Sequence, residues 1–220
     1  MKLSETINFL ENNLLALRKE DNTVYMTSSF QTQSVPLLHI ISKHFNWVKV
    51  VFIDTGYLFA DTYFFKQELE EMLKLDIITV SSKKDYLKQK MSSGLMLYSE
   101  DTDRCCQINK VEPVNYLVKK GDVWISGVRK DQTRILSKMN PVETDNRGVI
   151  RLHPMLEWNS KDIYDYIRLN NLPKHPLENE GYMSIGCVPC TQKLTSDLGR
   201  GGRWVGQQKT ECGLHTNNRE

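Results

Sequence analysis

The chain has 220 residues, of which 40% are hydrophobic and 25% charged, an ordinary globular balance and enough length to bury a core without disulfides. Lys and Arg number 29 against 27 Asp and Glu, and a net charge of +2 speaks against a protein built to coat nucleic acid. No run approaches about 20 apolar residues, so no membrane span is expected. The first residues lack the apolar region of a secretory signal, which makes the expected location cytoplasmic and the expected thiols reduced.

Ile7, Leu10, Leu14 and Leu17 recur at helical spacing and predict a packing helix over 3–18. A short strand over 22–29 ends in hydroxyl residues, and a helix follows over 32–45. The apolar run 48–54 predicts a buried strand, 61–75 a helix and 76–80 a third strand. Helical pattern is read over 83–90 and 103–119, with strands over 122–127 and 148–152. Asn159 or Ser160 caps a last helix to about Leu169, with Asp162 and Asp165 suiting its first turns.

Strands alternating with helices imply an α/β fold, a mainly parallel Rossmann-like sheet flanked by helices. Ligands of such sheets bind beyond the carboxyl ends of the strands. The expected organisation is a single domain over 1–220. It comprises an N-terminal helix over 1–20, an α/β core over 21–170, and an irregular C-terminal segment and tail over 171–220.

The five cysteines stand apart from this pattern. Cys105 and Cys106 are adjacent, 80 residues separate Cys106 from the Cys-x-x-Cys pair Cys187 and Cys190, and Cys212 is alone near the end. Tandem cysteines suit a four-coordinate zinc ion poorly, because its ligands usually come spaced. Adjacent residues can reach different corners of a larger iron–sulfur cube, so the spacing favours a [4Fe-4S] cluster and leaves zinc open. Lys209 and His215 flank Cys212 and could favour its thiolate.

Three segments fall at strand ends. Ser28, Ser29, Gln31 and Ser34 lie between a strand and a helix, where N–H groups and the helix dipole suit an anion. Asp54, Thr55 and Gly56 end the second strand, with a carboxylate for a ribose or amine donor and a glycine for close approach. Gly127, Arg129 and Arg134 lie in a basic loop, and Arg200 and Arg203 precede the lone cysteine. Guanidinium forks match phosphate and sulfate oxygens.

The paired cysteines, the 80-residue interval, Cys187-Val-Pro-Cys190 and Glu211-Cys-Gly-Leu-His215 together resemble the assimilatory adenylyl-sulfate reductases, the cluster-bearing branch of the phosphoadenylyl-sulfate/adenylyl-sulfate reductase family. The resemblance implies an adenine-nucleotide α-hydrolase-like fold. It implies reduction of adenosine 5′-phosphosulfate to sulfite and AMP, with thioredoxin or a glutaredoxin-like protein as donor, in sulfate assimilation and cysteine biosynthesis. It makes Cys212 the nucleophile and Cys105, Cys106, Cys187 and Cys190 the cluster ligands. It assigns Lys110, Arg200 and Arg203 to catalysis. It assigns Ser28, Ser29, Gln31, Ser34, Asp54, Thr55, Gly56, Gly127, Arg129, Arg134 and His215 to substrate. A homo-oligomer is expected, with neither nucleic acid nor membrane as partner. The rivals are a reductase of the 3′-phosphorylated nucleotide and a zinc-stabilised nucleic-acid-binding module.

Overall fold

The computed structural model describes residues 2–17, 22–193, 202–206 and 209–215, with residue 215 described by its backbone alone. Six strands are present: β1 (Val24–Ser28), β2 (Lys49–Asp54), β3 (Ile77–Ser81), β4 (Val123–Ser126), β5 (Val142–Thr144) and β6 (Ile150–Leu152). They form one sheet in the order β3-β2-β1-β4-β6-β5. All neighbours run parallel except β5, which closes the edge antiparallel to β6. From β1 the chain builds outward through β2 and β3 on one side, then returns to place β4 on the other. The carboxyl ends of β1 and β4 therefore flank the point where strand order reverses, the usual crevice of open α/β sheets.

Helices cover both faces. These are α1 (Lys2–Leu17), α2 (Val35–His44), α3 (Ala60–Leu73), α4 (Leu97–Glu100), α5 (Thr102–Cys106), α6 (Glu112–Leu117) and α7 (Ser160–Leu169). Side chains alternate across the sheet. Along β4, Val123 and Ile125 enter a large core with Leu10, Leu38, Ile41, Leu69 and Ile163, whereas Trp124 points to the opposite face, among Val111, Val114 and Val149. Asn159 caps α7 as expected: its side chain accepts from the Asp162 N–H at 3.0 Å, and the Asp162 carboxylate accepts from the Asn159 N–H at 2.8 Å. Among the described residues, no helix is long and apolar enough to cross a membrane.

Three expectations change. The helix expected over 83–90 is one 3₁₀ turn, Tyr86–Lys88, because its residues are nearly all exposed and offer no apolar stripe to bury. The helix expected over 103–119 is three pieces, with a π-helical turn at Gln107–Val111 between α5 and α6. Pro113 supplies the cause: it has no N–H to return to residue 109, so the preceding turn widens. The antiparallel strand β5 was not expected, since it is only three residues long and none of its side chains is buried.

Candidate active site

β1 delivers its last residue, Ser28, to the crevice. The buried Phe30 takes a left-handed conformation (φ 52°), turning the chain back, and its N–H donates to Ser28 Oγ at 3.1 Å. Ser34 then donates its hydroxyl to the Gln31 carbonyl at 2.7 Å, closing the turn that opens α2. Ser28, Ser29, Gln31 and Ser34 all line one cavity, joined across the crevice by Ser126 and Gly127 from the end of β4. The N-terminus of α2 borders this space through Ser34, the arrangement that favours an anion.

Lys110, Arg203, Trp204, Glu211 and Cys212 line the same cavity. Lys110 comes from the π-helical turn, a wide turn of the kind that often marks functional sites. A second, smaller cavity lies behind it, lined by Cys105, Cys106, Cys187 and Cys190, and Lys110, Arg203 and Trp204 border both spaces. Two distant segments thus bring four thiols together: α5 ends with the tandem pair, and Cys187 precedes and Cys190 ends a 3₁₀ turn that Pro189 helps to start. None of the five cysteines is in a disulfide.

Neighbours hold these sulfurs in place. Thr55 Oγ1 lies 3.3 Å from Cys187 Sγ, and Asn109 donates to the Cys105 carbonyl at 3.0 Å and to its Sγ at 3.5 Å. Burial pushes the Cys105 thiol up to about 11 and raises Cys190 as well. Cys106 is raised because its S–H is committed to a hydrogen bond with Cys212, and burial adds to this. Cys212 moves well below the usual thiol value. The hydrogen bond from Cys106 outweighs burial, helped by Lys110, the Leu214 N–H and Arg203. Burial alone would lower Lys110, yet Cys187, Cys212 and Cys106 more than offset it and hold the ammonium charged. Cys212 and the Lys110 cation thus line the same anion-suited cavity.

Arg203 is fastened by its own backbone neighbours. Its Nε donates to the Cys190 carbonyl at 3.1 Å and Nη1 to Ile185 at 3.4 Å, and the guanidinium lies 4.4 Å from the Trp204 ring centroid. Lys209 reaches Asp103 on α5 at 2.6 Å and ties the tail to the tandem-cysteine helix.

Other residues singled out in the sequence sit elsewhere. Asp54 accepts from Gly56 N–H at 2.8 Å and Tyr63 hydroxyl at 2.6 Å, shaping its own turn outside the cavity lining. Gly56 has φ 73° and faces the Tyr86 ring, which leaves no room for a side chain. Arg129 is buried and bonded to Asp131, Gln33 and Ser160, so it braces the loop that carries Gly127. Arg134 is exposed. Arg200 and the His215 side chain lie outside the described residues. Sequence reasoning overlooked Ser126, Trp204 and Glu211 as cavity residues. Adjacency was the available signal, since each neighbours a residue already singled out.

Comparison with known proteins agrees with this geometry. The model of the phosphoadenosine phosphosulfate reductase domain matches residues 23–193. An adenosine 5′-phosphosulfate reductase of Oceanobacillus iheyensis is 37% identical over 193 residues, covering 86% of this chain and 80% of that protein. One from Streptomyces coelicolor is 33% identical, again over 86% of this chain and 80% of its own length. In fold, the chain resembles the phosphoadenylyl-sulfate reductase of Candida auris, with TM-score 0.68 and 22% identity, over 86% of this chain and 90% of that one. The sheet, the paired thiols and these similarities lead to one assignment: the chain belongs to the phosphoadenosine phosphosulfate reductase family.

Proposed function

We propose that this protein reduces adenosine 5′-phosphosulfate to sulfite and AMP in sulfate assimilation, with a thioredoxin- or glutaredoxin-like dithiol protein as reductant. The observation that carries the reading is that Cys212 and Lys110 line the same cavity between β1 and β4 as Ser28, Ser29, Gln31 and Ser34. The similarity to adenosine 5′-phosphosulfate reductases supports the unphosphorylated nucleotide as substrate.

The substrate's phosphosulfate sits against Ser28, Ser29, Gln31, Ser34 and the start of α2, in the anion-suited part of the cavity. Cys212 thiolate attacks the sulfonate sulfur. A sulfur–sulfur bond forms, the sulfur–oxygen bond to the nucleotide breaks, and AMP departs with the electron pair. Lys110, Arg203 and, from the family pattern, Arg200 neutralise the charge on the departing phosphate and the transferring group. A thiolate of the reductant then attacks Cys212 Sγ, and sulfite leaves. The second thiol of the reductant closes a disulfide, which supplies both electrons.

The residues also fit a metal cofactor. Among the described residues, no three His, Cys, Asp or Glu side chains are placed to hold a single metal ion. Four thiols instead surround one small cavity, an all-sulfur donor set suited to an iron–sulfur cluster. Cys105, Cys106, Cys187 and Cys190 would hold a [4Fe-4S] cluster. When bound, it would order the two thiol-bearing segments and add its electrostatic field beside Lys110.

The test mixes anaerobically purified protein with either nucleotide in the absence of thiols. Intact-mass analysis should show an adduct of about 80 Da, the mass of SO₃, on Cys212, removed by a reduced thioredoxin with release of sulfite. An unmodified Cys212 with both nucleotides overturns the reading. Faster adduct formation with the 3′-phosphorylated nucleotide would reassign the substrate.

A further inference from the structure

Arg151, in the middle of β6, is 1% exposed and sits beside Trp124 of β4 in the sheet register. Its guanidinium lies 4.4 Å from the Trp124 ring centroid, and that ring is fixed by its Nε1–H donating to Thr27 Oγ1 at 2.9 Å. Arg151 Nη2 donates to the Leu214 carbonyl at 3.0 Å. The Leu214 side chain is buried against Val111, Val114, Trp124 and Val149, and the partly buried Cys212 packs against the same group.

The Leu214 residue therefore has both of its backbone polar groups in use. Its carbonyl receives Arg151, and its N–H donates to the Cys212 sulfur. A buried guanidinium is costly unless its donors find acceptors. Docking the tail supplies one such acceptor, so seating the tail also fills one donor of Arg151. On the other side of Cys212, Glu211 accepts from the Cys212 N–H at 2.9 Å and from Thr133 Oγ1 at 3.2 Å, which steadies the tail against the loop after β4.

We propose that Arg151 is a positioning residue for Cys212: through the Leu214 peptide it clamps the C-terminal tail onto the sheet and sets where the sulfur meets the nucleotide. The catalytic part of this statement rests on Cys212 being the nucleophile. The clamp itself does not.

The experiment compares the full-length, anaerobically purified protein with Arg151→Met, Arg151→Lys and Leu214→Ala. Amide hydrogen exchange is read without nucleotide on the peptide covering 209–215, and single-turnover formation of the Cys212 adduct is read with adenosine 5′-phosphosulfate. Arg151→Met should raise tail exchange about tenfold, the loss of one charge-assisted hydrogen bond. Adduct formation should slow at least about tenfold while the nucleotide concentration for half-maximal rate changes little, because the sulfur is misplaced and the binding loops are intact. Arg151→Lys, which keeps a donor, should recover part of both effects. Leu214→Ala should loosen the tail in the same direction.

Unchanged tail exchange in an Arg151→Met protein whose β1 and β4 peptides exchange normally overturns the clamp. Should Arg151→Met fail to fold, Arg151→Lys decides: tail exchange and an adduct rate both equal to wild type there overturn the proposal. A wild-type chain that forms no adduct, with a tail that still loosens in Arg151→Met, overturns the reductase reading and upholds the clamp.

Discussion

Gly186 and the Arg203 guanidinium adjoin so closely that a Cβ at position 186 would collide with the Arg203 side chain. The backbone of Gly186 is not in the left-handed region, so space, and not conformational freedom, is the reason for a glycine here. Gly186→Ala should therefore act on Arg203 and little else. We expect a roughly tenfold or larger loss in kcat/KM for sulfite release, with a melting temperature within a few degrees of wild type, since the far end of a flexible side chain can move aside. Arg203→Ala should lose a similar amount, and the double variant should be no worse than Arg203→Ala. Additive losses would show that Gly186 serves something other than Arg203.

Lys110 stands in the wall shared by the larger cavity and the thiol cavity, and its charge survives burial because thiols from both offset the cost. Lys110→Met keeps the apolar stem and removes the charge. The rate of sulfite release should fall about 10²-fold, the typical cost of losing one preorganised group at a developing charge. AMP binding, measured by calorimetry, should weaken far less. A rate within a few-fold of wild type would move the charge stabilisation to the arginines.

The proposed mechanism divides the thiols into two roles with different signatures. Cys105→Ser or Cys187→Ser should reduce bound iron from about 4 atoms per chain to less than about one, with loss of visible absorbance. Cys212→Ser should keep iron and nucleotide binding and release no sulfite. Iron loss in Cys212→Ser, or its retention in Cys187→Ser, would redraw the ligand set.

What could be read from the sequence follows from which interactions are local. The run Val48–Asp54 is apolar because β2 is buried on both faces, and the parallel strands announce themselves in that way. β5 could not, because three half-exposed edge residues carry no periodic signal. The broken helix over 102–117 needed the consequence of Pro113 to be followed back to Lys110. At the site, cysteine spacing alone suggested that two segments 80 residues apart meet, and the structure places all four thiols around one cavity. Arg129 illustrates the opposite case. A basic loop at a strand end suggested an exposed phosphate clamp, but its partners Gln33 and Ser160 come from other segments, and no local pattern foretells them. Glu211 and Arg151 were silent for the same reason, since their contacts exist only after the tail has docked.

His175 gives a stability test independent of catalysis. Its ring is fully buried, edge-to-face with Phe65 at 5.2 Å. Nε2 meets Thr62 Oγ1 at 3.1 Å, Nδ1 accepts from the Leu177 N–H at 3.3 Å, and its backbone N–H donates to Thr32 Oγ1 at 3.0 Å. This one residue thus joins α3, the segment after α7 and the turn before α2. Burial pulls its pKa down from 6.5 to about 4, against a smaller opposing effect of Asp61. The folded form therefore binds the proton more weakly than the unfolded chain does. Stability from the neutral ring is complete above pH 6.5 and drains away as pH falls from 6.5 towards 4. A difference of that size corresponds to roughly 3 kcal/mol across the window. Urea unfolding at steps from pH 7.5 to 4.5 should show this slope in the wild-type chain. His175→Gln should be less stable at pH 7.5 and should lack that part of the slope. Parallel pH profiles for the two proteins would mean that His175 takes up its proton without disturbing the packing around it.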